Sequence, residues 1–129
     1  MSNCFCDHEP AEVYRKNRQT ARKTHRCYEC NGLILNGERY EYVFHIWEGH
    51  PDVCKTCPRC LSVRDFLTIS LPCYCWSHRG AFEDAEEQID EAYYRARDEV
   101  QGLRFGYLRR KIIAARARAS IRSTAMGAR

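Results

Sequence analysis

The sequence predicts a small α+β fold, and three of its features lead to this prediction. Two Cys-x2-Cys pairs are separated by 26 residues, at Cys27, Cys30, Cys57 and Cys60. Between the pairs, the apolar residues Tyr40, Tyr42, Phe44 and Ile46 recur at every second position, which is the period of a β-strand. Residues 81–100 carry apolar side chains at spacings of three and four, which indicates an amphipathic helix. A chain of 129 residues, 29% of them charged, has room for one small domain with a thin apolar core.

The two Cys-x2-Cys pairs are predicted to hold one structural zinc ion. Four thiolates form a tetrahedral cage that suits Zn²⁺ and leaves no open coordination position. A disulfide framework is disfavoured because the nine cysteines are odd in number and no secretory or membrane-spanning apolar run is present. Cys54 has two interpretations, as a substitute for Cys57 in the cage or as a buried thiol.

A second zinc ion is predicted from two Cys-x-Cys hooks. The hooks consist of Cys4 and Cys6 near the start of the chain and of Cys73 and Cys75 further along. His8 and His78 lie close enough in sequence to substitute for one of these thiolates. The predicted cofactor content is therefore two Zn²⁺ per chain.

The order of elements around the first site favours a treble-clef-like module over a zinc ribbon. Asn36-Gly37 signals a tight turn, residues 40–46 a first strand, residues 49–52 a turn and residues 53–55 a returning strand. A helix is expected to begin at the second cysteine pair, capped by Thr56 and with Pro58 in its first turn. Residues 1–26 are interpreted as a hook and a basic stretch, with a short helix beginning at Asp7 or Pro10.

The C-terminal part is predicted to form a helical hairpin. An acidic helix over residues 81–100 is followed by an interruption at Gly102 and Gly106 and by a basic helix that ends near Ile121. The predicted domain boundaries are a two-zinc module at 1–80, with a core at 24–70 and a clasp joining 4–8 to 73–78, a helical hairpin at 81–121, and a disordered tail at 122–129.

Charge is distributed unevenly, and two basic regions are candidate contact surfaces. Residues 15–26 contain six bases and no acid, residues 101–129 contain eight bases and no acid, and residues 83–99 contain eight acids. The candidate residues for contact with nucleic acid or a partner are Arg15, Lys16, Arg18, Arg22, Lys23, Arg109, Arg110, Lys111, Arg116 and Arg118. A competing interpretation pairs the basic helix with the acidic helix of the same chain.

No catalytic constellation is recognised in the sequence, and the chain is predicted not to be an enzyme. His45 and His50 lack the further His, Asn or Asp groups that a His-Asn-His nuclease needs to hold its metal. The His-x-Glu of zinc deaminases and the βαβ context of redox Cys-x2-Cys motifs are also missing. Protein binding is an alternative, through the acidic helix or through a stripe of Ile112, Ile113 and Ile121.

Several segments together resemble a family of small, functionally uncharacterised zinc proteins encoded by phages and prophages. The segments that carry this resemblance are residues 20–30, 37–42, 55–57, 71–76 and 102–107. The resemblance covers most of residues 4–110 and implies a bacteriophage origin and a host-cytoplasm location, but no reaction.

The sequence therefore leads to two expectations of function. The first is a non-enzymatic, phage-encoded zinc protein that modulates a host macromolecule, chiefly a host protein or a defence or transcription complex. The alternative is nonspecific DNA or RNA binding through the basic C-terminal helix and the Arg15–Arg26 segment. No membrane contact is expected, and self-association through the C-terminal helices is a further expectation.

Overall fold

The computed structural model describes residues 11–71, 74–95 and 101–127 and has the predicted α+β class. The elements are β1 (Val13–Thr20), β2 (His25–Arg26), β3 (Leu33–Ile34), β4 (Arg39–Trp47), β5 (His50–Thr56), α1 (Pro58–Ser70), α2 (Ala81–Arg95) and α3 (Gln101–Gly127). The chain divides into two compact units. We call Asp7–Leu61 the sheet unit and Ser62–Arg129 the helical unit.

The sheet unit is built on a three-stranded antiparallel sheet with the strand order β1-β4-β5. A two-residue turn at Glu48-Gly49 joins β4 to β5, and both residues have positive φ, at 49° and 78°. Positive φ at both positions is the type I′ geometry that matches the twist of a hairpin. β5 therefore begins at His50, whereas the sequence predicted a turn over 49–52 and a strand only from residue 53. Trp47 pairs with His50 in the resulting register.

β1 occupies part of the segment that was interpreted as a hook and a basic stretch. It pairs along its whole length with β4, from Val13 opposite Ile46 to Thr20 opposite Arg39. Residues 14–18 are all exposed, so the apolar alternation that reveals a half-buried strand is missing. The short helix predicted to begin at Asp7 or Pro10 would start outside the described residues.

The first Cys-x2-Cys pair lies in a tight loop between β2 and β3. The Cys27 N–H donates to the Gly32 carbonyl at 2.8 Å, and the Asn31 N–H donates to the Cys27 carbonyl at 2.9 Å. Asn31 has a φ of 58°, in the left-handed region that asparagine tolerates better than most residues. This loop brings Cys27 and Cys30 to the same side of the chain.

α1 begins at Pro58, directly after Cys57. Proline suits the first helical position because its fixed φ fits the helix and its missing N–H would have no partner within the helix. Thr56 does not cap the helix as predicted, because it is the last residue of β5 and its buried hydroxyl oxygen has no hydrogen-bond partner among the described residues. Cys57 directly follows the last residue of β5, and Cys60 lies in the first turn of α1.

The helical unit has a continuous apolar core. Its buried members are Val63, Leu67, Leu71, Ala85, Ile89, Leu103, Tyr107 and Ala114. Gly102 and Gly106 were predicted to interrupt the chain, but both lie inside α3. At Gly106 a Cβ atom would lie 2.6 Å from the Phe66 Cζ, so the missing side chain makes room for the Phe66 ring.

α2 and α3 pack with opposite charges facing each other. Lys111 Nζ donates to Glu86 Oε1 at 2.9 Å, and Arg104 forms an ion pair with Asp90. The later residue on α2 pairs with the earlier residue on α3, so the helices run antiparallel. α3 continues to Gly127, beyond the predicted end at Ile121, because no proline or glycine occurs between these positions. The predicted disordered tail at 122–129 is therefore helical up to Gly127.

Candidate metal centre and basic surface

The four sulfur atoms of the two Cys-x2-Cys pairs lie together in the sheet unit. All four Sγ atoms of Cys27, Cys30, Cys57 and Cys60 lie within 4.8 Å of one another. The Cys27–Cys60 and Cys30–Cys57 sulfur separations are both 3.8 Å. Zn–S bonds of about 2.3 Å at tetrahedral angles place sulfur atoms about 3.8 Å apart. These four residues could therefore hold a metal ion.

Backbone N–H groups surround this cluster and favour negative charge on it. The N–H groups of Gly32, Cys57 and Cys60 donate to the sulfur atoms of Cys30, Cys27 and Cys57, at 3.3 to 3.4 Å. The start of α1 adds the positive end of a helix dipole at Cys60. Hydrogen bonds of this kind orient thiolate ligands and support a negatively charged cluster.

The pKa values of the four thiols are perturbed in different directions. Hydrogen bonding with Cys27 lowers the pKa of Cys30 and raises the pKa of Cys57 and of Cys60. The hydrogen bond with Cys30 raises the pKa of Cys27, but those with Cys57 and Cys60 lower it, and the result is about 7. Four sulfur atoms this close repel one another when all are charged, and a divalent cation between them removes that penalty.

An arginine between the ligands of the second pair fixes the start of α1. The Arg59 guanidinium donates to both Glu38 carboxylate oxygens, at 2.6 and 3.2 Å, and to the Leu33 carbonyl at 2.7 Å. Burial raises the pKa of Glu38, but hydrogen bonds from Arg59 and from the Leu35 N–H hold it below its usual value. This forked pair ties α1 to β3 and to the loop before β4. The positive charge of Arg59 lies near the cysteine cluster.

Cys54 does not belong to the four-cysteine cluster. Its sulfur lies 3.6 Å from His45 Nε2, and the same nitrogen lies 4.0 Å from Asp52 Oδ2. These three residues form a second group whose side chains could hold a metal ion. The sequence did not indicate this group, because the turn predicted at 49–52 does not place Asp52 opposite His45.

The predicted second clasp lies mostly outside the described residues. This applies to Cys4, Cys6, Cys73 and His8. The zinc site predicted at Cys4, Cys6, Cys73 and Cys75 therefore stays a prediction, and of its four cysteines the structure describes Cys75. Its backbone is held by Gln88, which accepts from the Cys75 N–H at 2.9 Å and donates to the Cys75 carbonyl at 2.5 Å. The His78 ring packs edge-on against Trp76, with ring centroids 4.9 Å apart.

The basic residues of the N-terminal segment lie on β1 and in the turn that follows it. Arg15 is opposite Phe44 on one face of the sheet, and Lys16 and Arg18 are on the other face, opposite Val43 and Glu41. Tyr42, Phe44 and Lys55 are half-buried on the face of Arg15. We call these residues, Arg15, Tyr42, Phe44 and Lys55, the aromatic face.

A cleft lies where the turn after β1 meets the end of the aromatic face. It has a volume of about 590 Å³ and is lined by Gln19, Thr20, Arg22, Lys23, His25 and Tyr40. Lys55 Nζ donates to His25 Nδ1 at 3.1 Å, and the rings of His25 and Tyr40 are 5.3 Å apart. Burial lowers the pKa of His25, and the charges of Lys55 and Lys23 lower it further. The cleft is therefore positively charged and its histidine is neutral at neutral pH.

Two of the basic residues predicted as contacts on α3 interact within the helical unit. Lys111 pairs with Glu86, and the Arg110 guanidinium lies 3.8 Å from the centre of the Phe66 ring. Arg109 and Arg116 are exposed, and Arg118 is half-buried. The pairing of the two helices thus accounts for part of the charge asymmetry in the sequence.

Comparison with known proteins gives no relative from which a role could be transferred. The chain matches no family model, and neither a curated protein nor a solved structure is significantly similar to it. In the part of the chain that the structure describes, no helix is long and apolar enough to cross a bilayer.

Proposed function

We propose that the sheet unit is a treble-clef-like zinc module in which Cys27, Cys30, Cys57 and Cys60 hold one structural Zn²⁺. The two sulfur separations of 3.8 Å support this, because they equal the edge of a tetrahedral Zn–S4 site. The order of a cysteine loop, a hairpin and a helix whose first turn carries the last ligand also supports it. A closed four-thiolate site leaves no position for substrate, so the role of this ion is to stabilise the fold.

We further propose that this module is a non-enzymatic binding protein whose ligand is single-stranded nucleic acid. The aromatic face carries this proposal, since it combines the partly exposed rings of Tyr42 and Phe44 with Arg15 and Lys55 on the flanking strands. Bases stack on such rings while neighbouring cations neutralise phosphates, largely without regard to sequence. This is the second function expected from the sequence, with its centre on the sheet rather than on α3.

The cleft beside the aromatic face supplies the charge that such a ligand requires. Arg22, Lys23 and Lys55 lie in or next to it. Each phosphate that a lysine or arginine neutralises adds about −0.7 to the slope of log K against log salt for a single strand. Three such contacts give an expected slope of about −2.

The test is fluorescence anisotropy with a labelled oligothymidine at several salt concentrations. The variant R22A/K23A is expected to weaken binding at least about tenfold and to flatten the salt slope. The matched control is R109A/R116A on α3, which removes the same number of exposed charges and should leave binding unchanged. No binding by the wild type even at low salt would refute the proposal, and equal losses in both variants would refute its assignment to the cleft.

The first function expected from the sequence, modulation of a host protein, is supported by a different observation. Phe105, Leu108 and Ile112 recur at spacings of three and four on α3 and are 71%, 48% and 52% exposed. Such a stripe is the pattern by which a helix docks into an apolar groove. Pull-down from host lysate with wild type and with F105A/I112A tests this role, and a partner that both proteins retain equally would exclude the stripe as its contact.

A further inference from the structure

We propose that His45, Asp52 and Cys54 form a second metal site in the sheet unit, one that takes a zinc ion through three protein ligands. The geometry that carries this inference is the convergence of a thiol and a carboxylate on one imidazole nitrogen. The site is separate from the four-cysteine cluster in its ligands, and it does not depend on the proposed function.

The hairpin register produces this convergence. The two-residue turn at Glu48-Gly49 places His45 directly opposite Asp52 and places Val43 opposite Cys54. Residues 52 and 54 point to the same side of β5 because side chains alternate along a strand, and His45 points to that side of β4. Three different ligand types from two adjacent strands therefore meet on one face of the sheet.

The distances fit a zinc ion. Bonds of about 2.3 Å to sulfur and about 2.0 Å to nitrogen, at a tetrahedral angle, separate the two ligand atoms by about 3.6 Å. The observed Cys54 Sγ to His45 Nε2 distance is 3.6 Å. The His45 Nε2 to Asp52 Oδ2 distance of 4.0 Å must shorten by about 0.6 Å to fit zinc–oxygen and zinc–nitrogen bonds. Asp52 can make this shift because its side chain is 54% exposed.

The same geometry argues against a Cys-His-Asp catalytic triad. In a triad the thiol bonds one imidazole nitrogen and the carboxylate orients the ring through the other. Here both groups approach Nε2. Cys54 is also 0% exposed, so its sulfur is not accessible to an incoming substrate. The Cys54 thiol and the Asp52 carboxylate instead approach the same nitrogen of His45, as ligands around a common cation do.

Neighbouring groups contact both the carboxylate and the imidazole. Asp52 Oδ1 accepts from the Val53 N–H at 2.8 Å, and Asp52 Oδ2 accepts from the Tyr28 hydroxyl at 3.3 Å. The Tyr14 ring packs edge-on against the His45 ring, with ring centroids 6.4 Å apart. Such supporting contacts orient ligands in metal sites. With three protein ligands, the fourth zinc position remains for water or for a group on a bound molecule.

The experiment is a count of zinc ions bound to the full-length chain by native mass spectrometry, for wild type and for two variants. H45A should carry one zinc ion fewer than wild type. H50A is the matched control, since His50 lies on the same hairpin and is exposed, and its count should equal that of wild type. Equal counts in wild type and H45A would overturn the proposal.

A second measurement covers the case in which H45A disturbs the fold. D52N changes an exposed residue and should leave the four-cysteine ion in place while it weakens the second ion at least about tenfold. Replacement of zinc by Co²⁺ distinguishes the two sites, because four sulfur ligands give stronger charge-transfer absorption than one. Loss of only the weaker cobalt spectrum in D52N supports the proposal, and an unchanged Co²⁺ titration in D52N contradicts it.

Discussion

The sheet unit and the helical unit bury different kinds of side chain. Among the described residues of the sheet unit, the largest fully buried side chains are those of Ile34 and Val43, followed by Thr56, Cys27, Cys54, Cys57 and Cys60. The helical unit instead buries a continuous cluster of aliphatic and aromatic residues drawn from all three helices. A core with few aliphatic side chains supplies little hydrophobic stabilisation, so the zinc ion that we propose at the four-cysteine cluster would supply much of the stability of the sheet unit.

The largest effect is expected from removal of one ligand of the four-cysteine site. Cys60→Ser should unfold the sheet unit, because structural zinc contributes about 10–16 kcal/mol in small zinc domains. The helical unit keeps its own core, so far-UV circular dichroism should retain most of the helical signal while tryptophan fluorescence changes through the contribution of Trp47. Cys54→Ser is the control, since it should retain the four-cysteine ion. Loss of the helical circular dichroism signal together with the fluorescence change in Cys60→Ser would remove the contrast between the units.

The converse effect is expected from Leu67→Ala in the helical unit. Leu67 is 0% exposed and lies in the apolar cluster, so its truncation should cost about 2–5 kcal/mol. Zinc content should not change, because none of the four cysteines lies in this unit. Thermal unfolding followed by circular dichroism, together with native mass spectrometry, measures both quantities. A reduced zinc count in Leu67→Ala would contradict the independence of the two cores.

A smaller effect is expected from the clamp that holds the start of α1. Arg59→Ala should cost about 1.5–3 kcal/mol and accelerate zinc release to a chelator, because it leaves the Glu38 carboxylate without its forked partner. Arg59→Lys should be intermediate, since it keeps the charge but loses the fork. Arg26→Ala is the control, as Arg26 makes one exposed hydrogen bond to the Asn31 carbonyl. Equal release rates in all variants would show that the clamp does not stabilise the site.

The smallest effect is expected at the Glu86–Lys111 pair. Both side chains are exposed by more than a third, so Lys111→Ala should cost at most about 1 kcal/mol. The hydrogen bond from Lys111 lowers the pKa of Glu86, so the pair stabilises the fold above the ordinary glutamate pKa and loses this contribution as pH falls through the lowered value. Melting curves of wild type and variant should therefore converge in acid, and a gap that widens there would contradict this assignment.

The sequence was sufficient for elements whose signal is local. The alternation over residues 40–46 predicted β4, and the Cys-x2-Cys spacing predicted which four cysteines would meet. Pro58 was expected in the first turn of a helix and is its first residue. These features depend on neighbours within a few positions, so a single sequence contains them.

Other elements depend on contacts between distant segments. β1 is a strand because it pairs with β4, and its exposed basic residues give no apolar alternation. Gly106 was interpreted as a break because the Phe66 ring that fills its space lies forty residues earlier. The His45–Asp52–Cys54 group follows from the two-residue turn at Glu48-Gly49, and the predicted turn at 49–52 would have paired other residues.

The central claim is that a zinc ion at the four cysteines organises the sheet unit and not the helical unit. The most direct test is titration of the metal-free chain with Zn²⁺, followed by two-dimensional amide NMR. We expect the amides of residues 11–61 to change from collapsed to dispersed resonances as the four-cysteine site fills, while those of Leu103 and Tyr107 remain dispersed throughout. Dispersed resonances for residues 11–61 before any zinc is added would contradict the claim.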